Sequence, residues 1–148
     1  MATSVYVGSD HAGFSLKKAL LPLLEKEFPE IKFEDLGCKD ESSVDYPDYA
    51  KVVGEKVAAG ARGILICGSG LGICVSANKI SGVRATNAWD VTSAKLARQH
   101  NDGNIICLGG RLTGVQVAFD AVSIWLRTPF EGGRHQGRID KIKALEKK

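Results

Sequence analysis

Residues Ile64–Lys79 read ILICGSGLGICVSANK. An apolar run ends at Cys67, and three glycines follow at alternate positions, Gly68, Gly70 and Gly72. With Gly63 in front, "GILICG" has the pattern of a short, fully buried strand, and "GICVSANKI" beyond the turn reads as a short helix. A buried strand, a glycine turn and a helix are the makings of an α/β unit, so the neighbours on either side decide the fold.

Working outward, the same alternation holds in both directions. "SVYVGS" and "IKFEDLG" are strand-like and are separated by "FSLKKALLPLLEKEF", whose Leu16, Leu20, Leu23, Leu24 and Phe28 fall at helical spacing. Pro22 lies inside that segment, which predicts a kink or a helix restarting near Pro22. "YPDYAKVVGEKVAAG" reads as a second helix. After the central unit come a strand in "GVRATNA", a helix in "DVTSAKLARQHN" with Asp90 as its N-cap, a strand in "NIICLGG" and an amphipathic helix in "GVQVAFDAVSIWLRT". A last, more polar helix is expected in "RHQGRIDKIKALEKK". Strict alternation predicts one α/β domain over residues 1–148, with a parallel five-stranded sheet covered by helices on both faces. Ligands in such folds bind beyond the C-terminal ends of strands. The candidates are then Asp10 and His11, the turn from Cys67 to Gly72, and Gly109 to Arg111.

Composition is that of an ordinary soluble domain, with 44% hydrophobic and 25% charged residues in 148. The formal charge of +3 is mild and without long basic runs, which argues against nucleic acid and suits a small anion. No apolar run approaches the roughly 18 residues of a membrane span, and no signal-peptide pattern opens the chain. Cys38, Cys67, Cys74 and Cys107 form no C-x-x-C pair and are expected to be free thiols in a reduced, cytoplasmic protein.

Three known anion-binding motifs fail on a required residue. A nucleotide-hydrolase phosphate loop ends in Gly-Lys-Ser/Thr, whereas this turn continues into Ile73 and Cys74. The dinucleotide fingerprint is G-x-G-x-x-G after the first strand, and here G-x-G-x-G follows the third. A cysteine phosphatase needs an arginine where Ile73 stands. What remains is a nest of backbone N–H groups beside a thiol, which suits a nucleophile or a base next to an oxyanion. A buried cysteine that merely packs is the plainer alternative, and it is the expectation for Cys74 and Cys107. Scattered histidines and cysteines show no metal-ligand spacing.

The segments "GSDHAG", "DYPDYA", "ICGSGLGICVSANK", "VRA", "LARQHNDGNIICLGGR" and "EGGRHQGRIDKI" occur in this order. With them the sequence resembles the type B ribose-5-phosphate isomerases, grouped with the galactose-6-phosphate and allose-6-phosphate isomerases. The resemblance implies a Rossmann-like three-layer α/β/α sandwich. It also implies a cofactor- and metal-free aldose–ketose isomerisation in the non-oxidative pentose phosphate pathway. Homodimers with shared active sites, some paired into tetramers, are implied as well.

By that resemblance Cys67 is the base that takes the C2 proton. The nest of Gly68, Ser69, Gly70, Leu71 and Gly72 stabilises a cis-enediolate, and the Ser69 hydroxyl, threonine in many relatives, passes protons between O1 and O2. His100 opens the sugar ring and Asn101 binds the sugar. His100 and Asn101 also suit a plain helix C-terminus, as a cation and a left-handed cap. Asp10 contacts sugar hydroxyls, His11 lies near the phosphate, and Tyr46 and Arg111 contact the substrate. Arg134 and Arg138, four apart and so on one helix face, are assigned to phosphate across the dimer interface. His135 is expected at the surface or an interface, without a role. A six-carbon sugar phosphate, or a module that binds phosphosugar without catalysis, are the alternatives.

Overall fold

The structure, a computed structural model, describes residues 3–146. Five strands form one parallel sheet: β1 (Thr3–Ser9), β2 (Ile31–Asp35), β3 (Arg62–Cys67), β4 (Ala85–Asn87) and β5 (Ile105–Gly109). Their order is β2-β1-β3-β5-β4. The helices are α1 (Phe14–Glu27), α2 (Tyr46–Ala58), α3 (Leu71–Ala77), α4 (Val91–Asn101), α5 (Val115–Arg127) and α6 (Arg134–Leu145). The α/β sandwich expected from the alternation is the fold found.

Side-chain alternation along β3 divides the core. Ile64 and Ile66 join Val5, Val7, Ile106 and Leu108 under α1, α4 and α5, where Trp125 is fully buried. Leu65 and Cys67 face the other way, joining Ile105 and Cys107 under α2 and α3. A strand buried on both faces must be apolar at every position, which is why β3 and β5 read as unbroken apolar runs. Helix α6 lies outside this sandwich, against α4.

Local chemistry accounts for several boundaries. Asp90 caps α4 by accepting from Ser93 N–H at 2.7 Å, and the Ser93 hydroxyl accepts in return from the Asp90 N–H. The helix ends with Asp102, not Asn101, in the left-handed conformation, at φ 45°. Helix α1 runs through Pro22 without restarting. Pro22 and Lys18, one turn earlier, both face solvent, so water can serve the carbonyl that loses its N–H partner. Leu23 shares that outer face and is 41% exposed, outside the core stripe where its spacing placed it. Among the described residues no helix is long and apolar enough to cross a membrane.

The order β2-β1-β3 means that the chain leaves β1 to one side and returns on the other. Between the C-terminal ends of β1 and β3 lies the crevice where α/β folds bind ligands.

Candidate active site

Asp10 and His11 follow β1, and Cys67 ends β3 beside Gly109 at the end of β5. Together with residues 43–46, which lead into α2, they enclose a cleft of about 580 Å³. Asp10, His11, Tyr46, Cys67, Gly68, Ser69, Gly72 and Arg111 all line it.

Each is held by a visible interaction. Asp10 is 5% exposed, and its Oδ1 accepts from the Gly13 N–H at 3.0 Å, leaving the other carboxylate oxygen for a ligand. His11 Nδ1 accepts from the Val44 N–H at 3.1 Å. Acceptance at Nδ1 puts the ring proton on Nε2, so His11 offers a donor. Sequence reasoning missed Val44, because a backbone donor leaves no mark in residue type.

Cys67 is buried, and its Sγ accepts from the Gly70 N–H at 3.2 Å. Gly70 has φ 80°, and a Cβ there would stand 2.9 Å from the carbonyl carbon of Leu108. The turn therefore needs glycine both for its dihedral and for its close approach to β5. Asn87 pins the same residue by donating its Nδ2–H to the Gly70 carbonyl at 2.9 Å. Ser69 Oγ accepts from the Leu71 N–H at 3.2 Å, which leaves the hydroxyl proton free to donate. Two amides of the expected oxyanion nest, those of Gly70 and Leu71, are thus already engaged. Gly70 itself is buried, the Leu71 side chain points to solvent, and neither lines the cleft.

Two further glycines make room for neighbours. A Cβ on Gly72 would lie 2.6 Å from the Tyr46 ring, so Tyr46 rests against the first turn of α3. A Cβ on Gly68 would lie 3.3 Å from Arg111 Nη1, which places that guanidinium over the turn beside the thiol. Behind the site Cys74 and Cys107 are buried free thiols, as expected, and burial pushes the Cys107 thiol well up.

His100, Asn101, Arg134 and Arg138 do not line this cleft. Helix α4 runs antiparallel to the strands, so its last residues return to the sheet edge where β3, β4 and β5 begin. The Gly63 N–H there bonds Asn104 O, and the Asn104 N–H bonds Arg84 O. From Ile105 to Gly109 the strand alone spans roughly 13 Å. One copy of the chain thus carries two clusters at opposite ends of its sheet.

The second cluster is more organised than its sequence suggested. His135, expected at the surface or an interface, is 5% exposed, and its ring stacks on His100 with centroids 4.4 Å apart and 16° between planes. Glu131 Oε1 stands 3.5 Å from His135 Nε2. Burial, Arg134, His100 and Arg138 hold the His135 imidazole below the usual histidine range, against an opposing pull from Glu131. Ligand atoms of His100, Glu131 and His135 lie within 4.8 Å of one another. The stacked rings nevertheless hold their in-plane lone pairs in two nearly parallel planes, so no point lies in both ring planes at bonding distance, and the guanidinium groups of Arg134 and Arg138 oppose a cation. As arranged, the two rings cannot share one metal ion.

With this geometry, comparison with known proteins is decisive. Residues 5–142 match the family model described as Ribose/Galactose Isomerase. Ribose-5-phosphate isomerase B of Escherichia coli is 43% identical over 143 residues, covering 95% of each chain. The structure of Clostridium thermocellum ribose-5-phosphate isomerase B superposes with a TM-score of 0.94 at 42% identity, over 97% of each chain. That of the Mycoplasma genitalium ribose-5-phosphate isomerase B with bound ribulose-5-phosphate gives 0.93 at 40% identity, over 99% of this chain and 97% of that one. The chain belongs to the ribose/galactose isomerase family. It is an enzyme, an aldose–ketose isomerase.

Proposed function

We propose that the protein interconverts ribose 5-phosphate and ribulose 5-phosphate through a cis-enediolate, as a step of the non-oxidative pentose phosphate pathway. The observation that carries this reading is the Gly70 N–H directed at Cys67 Sγ in a cleft that also holds Asp10, His11, Tyr46 and Arg111.

The Cys67 thiolate takes the proton from C2 of the open-chain aldose. The electron pair of that C–H bond forms the C1–C2 double bond, and the carbonyl π pair moves onto O1. The Ser69 hydroxyl, whose proton is free, relays the proton between O2 and O1, and Cys67 returns its proton to C1. The remaining amides of the 68–72 turn, at Gly68, Ser69 and Gly72, and the Arg111 guanidinium face the developing charge. Asp10 accepts from sugar hydroxyls, and His11 donates from Nε2.

His100, Asn101, Arg134 and Arg138 belong to the same site, supplied by a second copy of the chain. A chain whose two clusters sit at opposite ends of one sheet completes a site by facing its own copy about a two-fold axis. Exposed apolar side chains support this: Leu71 and Val75 on α3 beside the cleft are 51% and 63% exposed. In the assembled site His100 protonates the ring oxygen as the C1–O bond breaks, while the C1 hydroxyl proton leaves to water. Arg134 and Arg138 hold the phosphate.

Incubation with ribose 5-phosphate in D2O tests the reading. NMR is expected to show solvent deuterium entering C2 during conversion. A protein that binds the sugar phosphate without exchanging that hydrogen would be a binding module. Turnover on allose 6-phosphate exceeding that on ribose 5-phosphate would move the assignment to the six-carbon substrate.

A further inference from the structure

Resting on the reading of His100 as the ring-opening group, we propose that His135 is a positioning residue for ring opening. Its buried imidazole is the platform that sets the plane of the His100 ring, and Glu131 secures the platform.

A general acid delivers its proton along an N–H bond that lies in the plane of the imidazole. Fixing that plane fixes the direction of delivery. His100 is half-buried near the end of α4, where few side chains remain to hold it. The His135 ring lies flat against it, at 4.4 Å and 16°. Both sides of the stack are tied together: the Glu131 N–H donates to Gln99 O at 3.1 Å, next to His100, and the His135 N–H donates to Gly132 O at 3.0 Å. The loop before α6 is therefore stitched to the last turn of α4 at the stack itself.

Buried polar atoms normally have a partner. His135 Nε2 is buried without a hydrogen bond, with only Glu131 Oε1 near it at 3.5 Å. A histidine kept for packing alone would leave that atom uncompensated for no return, whereas a flat ring under His100 uses the aromatic face rather than the nitrogen. The stack tolerates one proton, not two, because two imidazolium rings face to face repel. His100 on α4, Glu131 in the preceding loop, and Arg134 and Arg138 on α6 are the charged or titratable groups around His135. Three of the four oppose a charge on His135, so the platform ring stays neutral more readily than a free histidine.

The test separates ring opening from proton abstraction. Ribulose 5-phosphate cannot close to a furanose, since its O5 carries the phosphate, so exchange of a C1 hydrogen with D2O requires no ring opening. His135→Leu is expected to lower ribose 5-phosphate turnover on the order of 10- to 100-fold, mainly in kcat, and to lower C1 exchange much less. His135→Phe, which keeps a flat ring, is expected to restore most of the turnover. Circular dichroism and melting of both variants check the fold. Equal turnover in His135→Leu and wild type, equal losses in the Leu and Phe variants, or parallel loss of conversion and exchange would overturn the proposal. His100→Asn is the control. If it converts ribose 5-phosphate normally, the ring-opening reading fails first. If it loses conversion while His135→Leu does not, only the role of His135 fails.

Discussion

The Gly70 N–H points at the sulfur of Cys67 from 3.2 Å, and the Gly70 carbonyl is held from the other side by Asn87 at 2.9 Å. The thiol thus meets a turn braced from two directions. Replacing Cys67 with alanine removes the proposed base and leaves the brace from Asn87 in place. Cys67→Ala is expected to fold normally and to lose on the order of 10²–10⁴-fold in kcat. Steady-state kinetics beside a thermal melt checks this. Near wild-type turnover in a folded variant would remove the thiol from the mechanism.

Gly70 and Gly72 should respond differently to the same methyl group. At Gly70 the Cβ would meet backbone at 2.9 Å and adopt φ 80°, so Gly70→Ala is expected to cost at least about 1–2 kcal/mol of stability. At Gly72 the Cβ would meet the Tyr46 ring, a side chain 39% exposed and free to swing away. Gly72→Ala should melt near the wild-type temperature with a KM raised several-fold, because Tyr46 no longer rests on α3. Urea unfolding and substrate titration of both variants separate the two effects.

That contrast also marks how far the amino-acid sequence could be read. Strands β3 and β5 are legible because strands buried on both faces must be continuously apolar, and β1 shows a short apolar run ending in glycine. The residues that follow them became site candidates by topology alone, and Asp10, His11, Cys67, Gly68, Ser69 and Arg111 do share a cleft. Pro22 and Leu23 misled because helical spacing does not say which stripe meets the sheet. The stack of His135 on His100 was not legible, because 35 residues and a whole α/β unit separate the two rings in the chain. The resemblance already implies that Arg134 and Arg138 act across a dimer interface; that His100 and Asn101 lie at the far end of the sheet from Cys67 follows only from the direction of α4.

The proposed homodimer with shared sites makes a prediction about mixtures. Cys67→Ala and His100→Asn each disable every site of their own homodimer. A mixed dimer has one site in which intact Cys67 faces intact His100. Co-refolding equal amounts should recover about a quarter of wild-type activity, since half the dimers are mixed and each has one sound site of two. Absence of any recovery, with mixed dimers demonstrated by differential tagging, would place all the working residues in one subunit.

Lys17 supports the cleft without lining it. Its side chain is 1% exposed, and its ammonium donates to Asp35 Oδ1 at 2.7 Å and to Cys38 O at 2.6 Å. Asp35 Oδ1 also accepts from the Gly37 N–H at 2.9 Å, so one lysine ties the turn that starts the segment leading to Val44 and Tyr46. Lys17→Met keeps the length, leaves the Cys38 carbonyl without this donor and frees Asp35, itself 44% exposed, to water. A loss of about 1–3 kcal/mol is expected, with KM rising as the Val44 contact to His11 loosens. Unchanged urea midpoints would show that the ammonium contributes nothing net.

His135 should make the protein sensitive to acid. Burial first, then Arg134 and His100, hold its folded-state affinity for protons below that of an unfolded histidine, near 6.5. Below that pH the unfolded chain binds a proton that the folded chain resists, so stability falls as pH falls. The loss begins near the unfolded value and continues down to the folded one; above about pH 7 the residue contributes no pH dependence. His135→Phe carries no titrating group at that position. The melting temperatures of wild type and variant should run parallel above neutrality and diverge below about pH 6.5, the wild type falling faster. Parallel curves through the acid range would mean that the His135 ring opens to solvent before it is protonated. The stack on His100 would then be too weak to restrain either ring.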